Sequence, residues 1–420
     1  MKTKIMVVFG AVMVSFGWHA HGQTYDTNGD YVQTFAGSGF SGYVDGIGQL
    51  TMFNNPNAIV ADLHGNLFVW DSGNYRIRKI TPDGTVTTFA GGGSNAQGTG
   101  TNVNLETWPI GGLTIDRSNT LWAVTSQGVD ELYKITGGAV VTFTNFSSLS
   151  GILMGVCADS VGNIYVSSAN NRIYRYATNT VLSVFAGSGN SGYADGNGIF
   201  TSFSSPAALA ADTADNIYVW DSGNHLIRRI DQSQNVTTLA GKYGSPYAQN
   251  ADGTGTNAAF YSVSQMCVDS SGNLILACGN SMRKMDAKTN VVTLAGNFTT
   301  TGPMQQSYTN GPGTNALFNG AVGVCVSDST FYVADSYNQR IRCITNNPVP
   351  QVVTGANLGI GTFAGVTIIG TVGRTYQVQS SPDLNAWTTR ATMLLNASPY
   401  LWIDQNPVSG NKFYRALLLP

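Results

Sequence analysis

Acid and amide side chains recur along this chain at fixed spacing. Asp71 and Asn74, Asp221 and Asn224, and Asp335 and Asn338 stand in matching Asp-x-x-Asn runs, and Asp45, Asp195 and Asp252 each precede a glycine. Oxygen-rich clusters of this kind can hold a hard cation, hydrogen-bond a polar ligand, or simply build turns. Asp-Gly and Asp-x-x-Asn are turn formers first, because Asx side chains accept from nearby backbone N–H groups. Arg76, Arg228 and Arg340 are the cations expected to pair with these aspartates. The only glutamates are Glu106 and Glu131.

The elements that carry these residues form a repeat. One unit reads Ala58–Asp62, a Gly65-Asn66 turn, Leu67–Trp70, the turn Asp71–Asn74, and Arg76–Ile80. Further copies have their second segment starting at Leu121, Ile164, Ile217, Leu274 and Phe331. A separate element, Val-Thr-Thr-Phe-Ala-Gly in its clearest form, starts near Val32, Val86, Val140, Leu182, Val236 and Val291. Each segment is short, β-branched or aromatic, and bounded by Gly, Asn or Asp, which predicts strands and no long helix. Each unit is therefore read as four antiparallel strands, a to d, and six such sheets set radially make a six-bladed propeller. A strand of the Val-Thr-Thr-Phe type precedes the first unit and none follows Ile344, so 31–36 is expected to complete the last blade. The stretch from Gly37 to Asp71 closely matches that from Gly187 to Asp221, which suggests a duplicated triplet of blades with Trp70 and Trp220 on opposite sides.

These residues resemble the NHL repeat family, whose unit runs Gly-Asn-Ile-Tyr-Val-Ala-Asp-x-x-Asn-x-Arg-Ile, and the resemblance spans roughly 31–345. The Phe-Ala-Gly-Ser-Gly…Asp-Gly-x-Gly loops are similar to those of secreted bacterial NHL proteins and of the teneurin propeller. Blade 2, with Thr125-Ser-Gln-Gly, and blade 3, with Ser168-Ala-Asn-Asn171, depart most from the pattern. The resemblance implies four chemistries to weigh. The amidating lyases of the family use a zinc held by three histidines, whereas only His64 and His225 remain after the leader, in turns at opposite ends of the strands. The gluconolactonase type uses a divalent cation held by Glu, Asn and Asp in the channel, which leaves a metal-dependent hydrolase as the alternative reading. A Ser-His-Asp triad finds no Gly-x-Ser-x-Gly elbow before a helix. RNA binding, known in eukaryotic members, needs a basic face, and the loop-rich face here is acidic.

Composition agrees with a folded, weakly charged all-β chain. Charged residues make up 10%, hydrophobic residues 42%, with 50 glycines in 420 and a net charge of −2. That charge offers no electrostatic basis for nucleic-acid or anionic-membrane binding. Lys2 and Lys4, the apolar run 5–18 and Ala20-His21-Gly22 read as a secretory signal peptide over 1–22, cleaved after Gly22. As a helix the apolar run rises about 21 Å, too little for a ~30 Å hydrocarbon core. No later run could span a bilayer, so the mature chain is expected to be exported to the periplasm, the cell surface or the medium. Of the five cysteines, Cys157, Cys267 and Cys325 occupy one place in the repeat where other copies carry Val60 and Ala210. They read as small buried hydrophobes, and no CxxC spacing supports zinc.

After a propeller over 23–345 and a linker over 346–351, residues 352–420 show five strand-like runs, expected to form a small β-sandwich. Its aromatics, Tyr376, Trp387, Trp402 and Tyr414, read as core. Because strands alternate direction, the b–c turns and d–a loops share one face. That face collects the candidate binding residues Asp45, Asp71, Asn74, Asp195, Asp221, Asn224, Asp252, Asp335, Asn338 and Glu106. Trp70 and Trp220 are expected to pack between blades. The expectation is an exported, non-catalytic scaffold, monomeric, offering Gly-rich acidic loops to a protein or glycan partner. No cofactor is implied, and calcium is the cation those loops could accept.

Overall fold

The computed structural model describes residues 30–419 apart from 96–97, 106–109, 126–130, 146–151, 178–181, 245–249, 298–307, 346–364, 369–373, 383–384, 395–399 and 404–412. The leader, the linker and Glu106 lie outside the described residues. Two compact units emerge, one over Tyr25–Thr81 and Thr85–Val349, the other containing Pro350–Pro420.

The larger unit is all β. Its six main sheets each carry the strands a to d in order, antiparallel throughout. The first is Pro56–Ala61, Leu67–Asp71, Arg76–Ile80 and Thr85–Gly91. The second is Ile110–Ile115, Leu121–Thr125, Glu131–Thr136 and Ala139–Asn145. The third is Leu153–Ala158, Ile164–Ser168, Arg172–Tyr176 and Leu182–Ala186. The fourth is Pro206–Ala211, Ile217–Asp221, Leu226–Ile230 and Asn235–Ala240. The fifth is Gln265–Val268, Leu274–Cys278, Ser281–Met285 and Asn290–Gly296. The sixth takes Ala321–Ser327, Thr330–Asp335 and Arg340–Thr345 from the end of this unit and Tyr31–Ala36 from its start. Each strand a neighbours the strands a on either side, and the sixth neighbours the first, so the ring is closed.

Closure is a ladder. Tyr31, Val32, Gln33 and Thr34 lie opposite Thr345, Ile344, Cys343 and Arg342, which is the pairing the order of the repeats predicts. Val32 and Ile344 are both buried, in a cluster shared by the fifth and sixth sheets. Six such apolar clusters exist among the described residues, one between each neighbouring pair of sheets. The period-two alternation of each strand thus supplies two apolar faces, and sheet-on-sheet burial around the ring removes both from water. Trp70 belongs to the cluster that holds Val103, Leu105 and Leu113 of the next repeat, and Trp220 to the one that holds Phe260 and Met266, with its ring edge-on to Phe260, so both tryptophans pack between blades. At roughly 25 cal/mol per Å² and 150–250 Å² of surface, each contributes about 4–6 kcal/mol of gross burial.

One element goes beyond the sequence reading. In five of the six sheets the Gly-rich loop lays a two-residue strand on strand d: Gly46–Ile47, Gly98–Thr99, Gly196–Asn197, Gly253–Thr254 and Gly311–Pro312. The third sheet, whose preceding loop is short, has four strands. The short strand shields the outer edge, which would otherwise offer unpaired N–H and C=O groups. In the C-terminal unit, Gly365–Ile368 pairs with Tyr400–Ile403, and Thr375–Ser381 sits between Thr388–Leu394 and Phe413–Leu418. Val378 and Tyr376 are buried there.

Val32→Asp places a carboxylate in a fully buried position of the closing strand. It is expected to lose about 3 kcal/mol or more in urea denaturation. Val141→Asp, at an exposed position of the second outer strand, should stay within about 0.5 kcal/mol.

Candidate functional site

The Asp-x-x-Asn turns of the first, fourth and sixth blades converge on a buried arginine. In the first blade, Arg78 has no exposed side chain and donates from Nη1 to Oδ2 of Asp71 at 2.8 Å and from Nη2 to Oδ1 of Asp45 at 2.6 Å. Nη1 and Nη2 also donate to the carbonyls of Met52 and Val44, respectively, in the d–a loop. Asp71 accepts from the Asn54 backbone N–H at 2.7 Å and from Asn74 Nδ2 at 2.8 Å, and Asn74 also donates to the carbonyl of Gly42. Phe53 lies 5.1 Å beneath the guanidinium. The cluster is a clamp that fastens the d–a loop to the b–c turn. Burial pushes the Asp71 carboxyl up, against the pull of Asn74, the Asn54 N–H and Arg78.

The clamp repeats in the fourth and sixth blades. Arg228 binds Asp221 at 3.0 Å and Asp195 at 2.7 Å, with Asn224 on Asp221. Arg342 binds Asp335 at 2.8 Å, with Asn338 on Asp335, and Asn310 stands where the others have Asp45 and Asp195. Desolvation raises Asp221 and Asp335 as it does Asp71. In the fifth blade Cys278 replaces the b-strand aspartate, and Arg283 relies on Asp252 at 2.9 Å. The second and third blades change both partners. Tyr133 and Tyr174 occupy the arginine register, opposite Ala123 and Val166, and Thr125 and Ser168 stand at the aspartate position. Buried cation and buried anion thus disappear together, as the cost of an unpaired buried charge requires.

The pairing corrects one expectation. Arg76 and Arg340, expected to pair with aspartates, instead donate to the carbonyls of Asn74 and Asn338, and the partners are Arg78 and Arg342. Two residues along a strand point to the same face, so composition alone does not separate them, but alignment with Arg228 does. Of the candidate residues, Asp71, Asp221, Asp335, Asn224 and Asn338 are buried inside clamps. Asp45, Asp195 and Asp252 keep about 40–48% of their side-chain surface. Among the described residues no group of three or more His, Cys, Asp or Glu side chains could hold a metal ion.

The central channel is the other candidate. It is a cavity of about 220 Å³ walled by the six strands a, including Val60, Ile115, Cys157, Ala210, Cys267 and Cys325, and no charged side chain or histidine lines it among the described residues. The three cysteines of the repeat do face this wall; all are free, and burial pushes their thiols up. Sequence reasoning missed Gln265. Its amide spans the sixth strand a, accepting from the Ile59 N–H at 3.2 Å and donating to the Ile59 carbonyl at 2.8 Å. It passes over Gly323, where a Cβ would meet Gln265 Oε1 at 3.1 Å and the Asn57 carbonyl at 2.1 Å. The signal was present: Gln265 is the one polar side chain at a register held by Ala58, Gly112, Gly155, Ala208 and Gly323.

The aromatic side chains behave differently from the acids. All eight exposed Phe and Tyr among the described residues, namely Phe40, Tyr43, Tyr75, Tyr193, Phe200, Tyr243, Tyr261 and Tyr337, lie in d–a loops or b–c turns.

If the clamps are structural, removal of the two aspartates of one clamp should differ in cost. Asp221→Ala strands a buried guanidinium and is expected to lose about 3 kcal/mol or more. Asp195→Ala removes a half-exposed partner and should lose about 1 kcal/mol or less. The double change Asp221→Thr with Arg228→Tyr, copying the second blade, should recover much of the first loss in urea denaturation.

Comparison with known proteins agrees with this geometry. The family model for the NHL repeat matches residues 318–344, the span of the sixth blade's first three strands. No curated protein matches the chain. A structural genomics protein of unknown function from Bacteroides thetaiotaomicron superposes with a TM-score of 0.59 at 19% identity, over 75% of this chain and 76% of that one. An auxiliary nutrient binding protein from Bacteroides ovatus gives 0.55 at 17% identity, covering 77% of each chain. Another, from Bacteroides thetaiotaomicron, gives 0.58 at 17% identity over 75% and 76%. Ring closure, sheet order and these likenesses together identify the chain as a β-propeller that carries an NHL repeat in its last blade.

Proposed function

We propose that this is an exported, non-catalytic binding propeller whose loop-rich face engages a glycan or protein partner. The observation that carries the reading is the division of labour between side chains. Six aspartates of that face, Asp45, Asp71, Asp195, Asp221, Asp252 and Asp335, are bound to clamp arginines, and the exposed aromatics are concentrated in the same loops. Exposed aromatic residues on a rigid scaffold are the usual anchors of an interface. The six copies of the motif support an NHL-type reading of all six blades, of the secreted bacterial and teneurin kind. Two structural neighbours described as auxiliary nutrient binding proteins are in keeping with a binding role. The leader directs the chain out of the cytoplasm, where it acts as a monomer without nucleic acid and without a membrane-spanning segment in the mature form.

The rival reading is a lactonase-like hydrolase with a divalent cation in the channel. The channel wall carries no carboxylate or imidazole among the described residues and is crossed by the Gln265 bridge, which weighs against it, because a hydrolytic cation needs converging carboxylate or imidazole ligands and an open position for water.

Two measurements test the reading. On glycan and protein arrays, the full chain should give hits that disappear when Phe40, Tyr261 and Tyr337 are all changed to Ser with the fold intact by circular dichroism. Hits that survive this triple change would move the binding surface elsewhere. In thermal denaturation, millimolar calcium or zinc should leave the midpoint unchanged. A rise of several degrees that Glu106→Ala removes would favour the hydrolase.

A further inference from the structure

We infer that the fourth blade carries a subsite for a neutral sugar ring, built on Tyr193 and Tyr243. This rests on the binding role proposed above and names the chemistry of one place on that face. The two rings stack with centroids 3.8 Å apart and planes tilted by 34°. Each remains exposed, by 50% and 54%, and together with Asp195, Leu226, Thr238 and Lys242 they line a cavity of about 620 Å³. That volume lies within the ordinary range for small-molecule sites.

The repeat explains why the site arises in this blade. Tyr43, Tyr193 and Tyr308 each stand two residues before the loop partner of a clamp arginine, respectively Asp45, Asp195 and Asn310. In the first blade the Arg76 guanidinium covers Tyr43, 4.1 Å from the ring centroid. In the sixth, Arg340 covers Tyr308 at 3.8 Å. The same register in the fourth blade holds Leu226, opposite Asp221 as Arg76 is opposite Asp71. Leucine cannot supply that cation, so the tyrosine is left to pair with Tyr243 and to present aromatic surface to the cavity.

The walls select the ligand class. Tyrosine faces offer an apolar platform for the C–H side of a pyranose, and the hydroxyl and charged groups around them can meet its hydroxyls. Charge argues for a neutral ligand. Asp195 and Asp221 share the one guanidinium of Arg228, and Lys242 at the cavity offsets the remaining negative charge, while Asp195 also accepts from the Thr238 N–H and hydroxyl at 3.0 Å. Asp195 nevertheless keeps 48% of its side-chain surface and can accept further hydrogen bonds.

Affinity electrophoresis of the full chain tests this, in native gels containing soluble neutral polysaccharides (a mixed-linkage glucan, a xylan, a galactomannan) or anionic polygalacturonate. At least one neutral gel should retard the wild-type protein, and polygalacturonate should not. Tyr193→Ala and Tyr243→Ala are each expected to weaken binding by about tenfold or more. The double change Tyr193→Ala with Tyr243→Ala should weaken it at least as much. Val141→Asp, at an exposed position outside the loops, should bind as the wild type does. Equal retardation of the wild type and all three fourth-blade variants would overturn the subsite while leaving the loop-face reading intact. Retardation by polygalacturonate alone, or by none of the gels, would overturn the sugar assignment. The array experiment with Phe40, Tyr261 and Tyr337 replaced then decides the broader reading independently.

Discussion

A buried arginine bound to two loops at once is the interaction on which the outer architecture of this propeller depends. Strand c delivers the guanidinium to the interior, the b–c turn supplies one carboxylate, and the Gly-rich loop supplies a second along with backbone carbonyls. Arginine suits this task because its planar fork can serve several acceptors in fixed directions without losing its charge. A buried ion pair adds little net stability against a well-packed apolar substitute, but it makes one loop conformation far better than its competitors. The internal evidence is the behaviour of the repeats themselves. Where the aspartate is absent in the second and third blades, the arginine is absent too. The fifth keeps its arginine beside a cysteine because Asp252 remains.

The clamps shape what the molecule can do. They consume the acidic residues that a search for metal or catalytic chemistry would pick out first. The long loops can then hold a defined path over the outer strands, and the aromatic side chains they carry are presented on a firm base. At the centre, glycines and alanines let the six inner strands approach closely, and Gln265 bridges the gap left beside Gly323. The axis of the ring is walled, among the described residues, by uncharged side chains and crossed by a bridging amide, whereas the exposed aromatics lie at the periphery.

Most of the fold was legible in the sequence because it is periodic. Repetition of turn residues at matching intervals located the strands, and the unmatched first strand announced the closure of the ring. The site was less legible for a definable reason. Asp71 and Asp45 look alike in sequence, yet one is sealed inside a clamp and the other is nearly half exposed, a distinction set by packing between loops that are distant in the chain. Arg76 and Arg78 share a face of one strand, and only their neighbours decide which is buried. Gln265 was overlooked because a lone amide in an apolar strand carries no recognisable pattern, although its companions in the ring are all glycine or alanine.

The seam of the ring has a temporal consequence. Tyr31–Ala36 leaves the ribosome before any complete sheet, yet its partner Arg340–Thr345 comes more than three hundred residues later. Until then the earliest strand has no docking edge and the sixth sheet lacks its outermost member. Assembly must therefore wait for contacts of very long sequence separation, which are slow to form and leave adhesive edges uncovered meanwhile. Crowded molecules at that stage can zip onto one another head to tail instead of onto themselves, so the yield of properly sealed rings depends on keeping nascent copies apart.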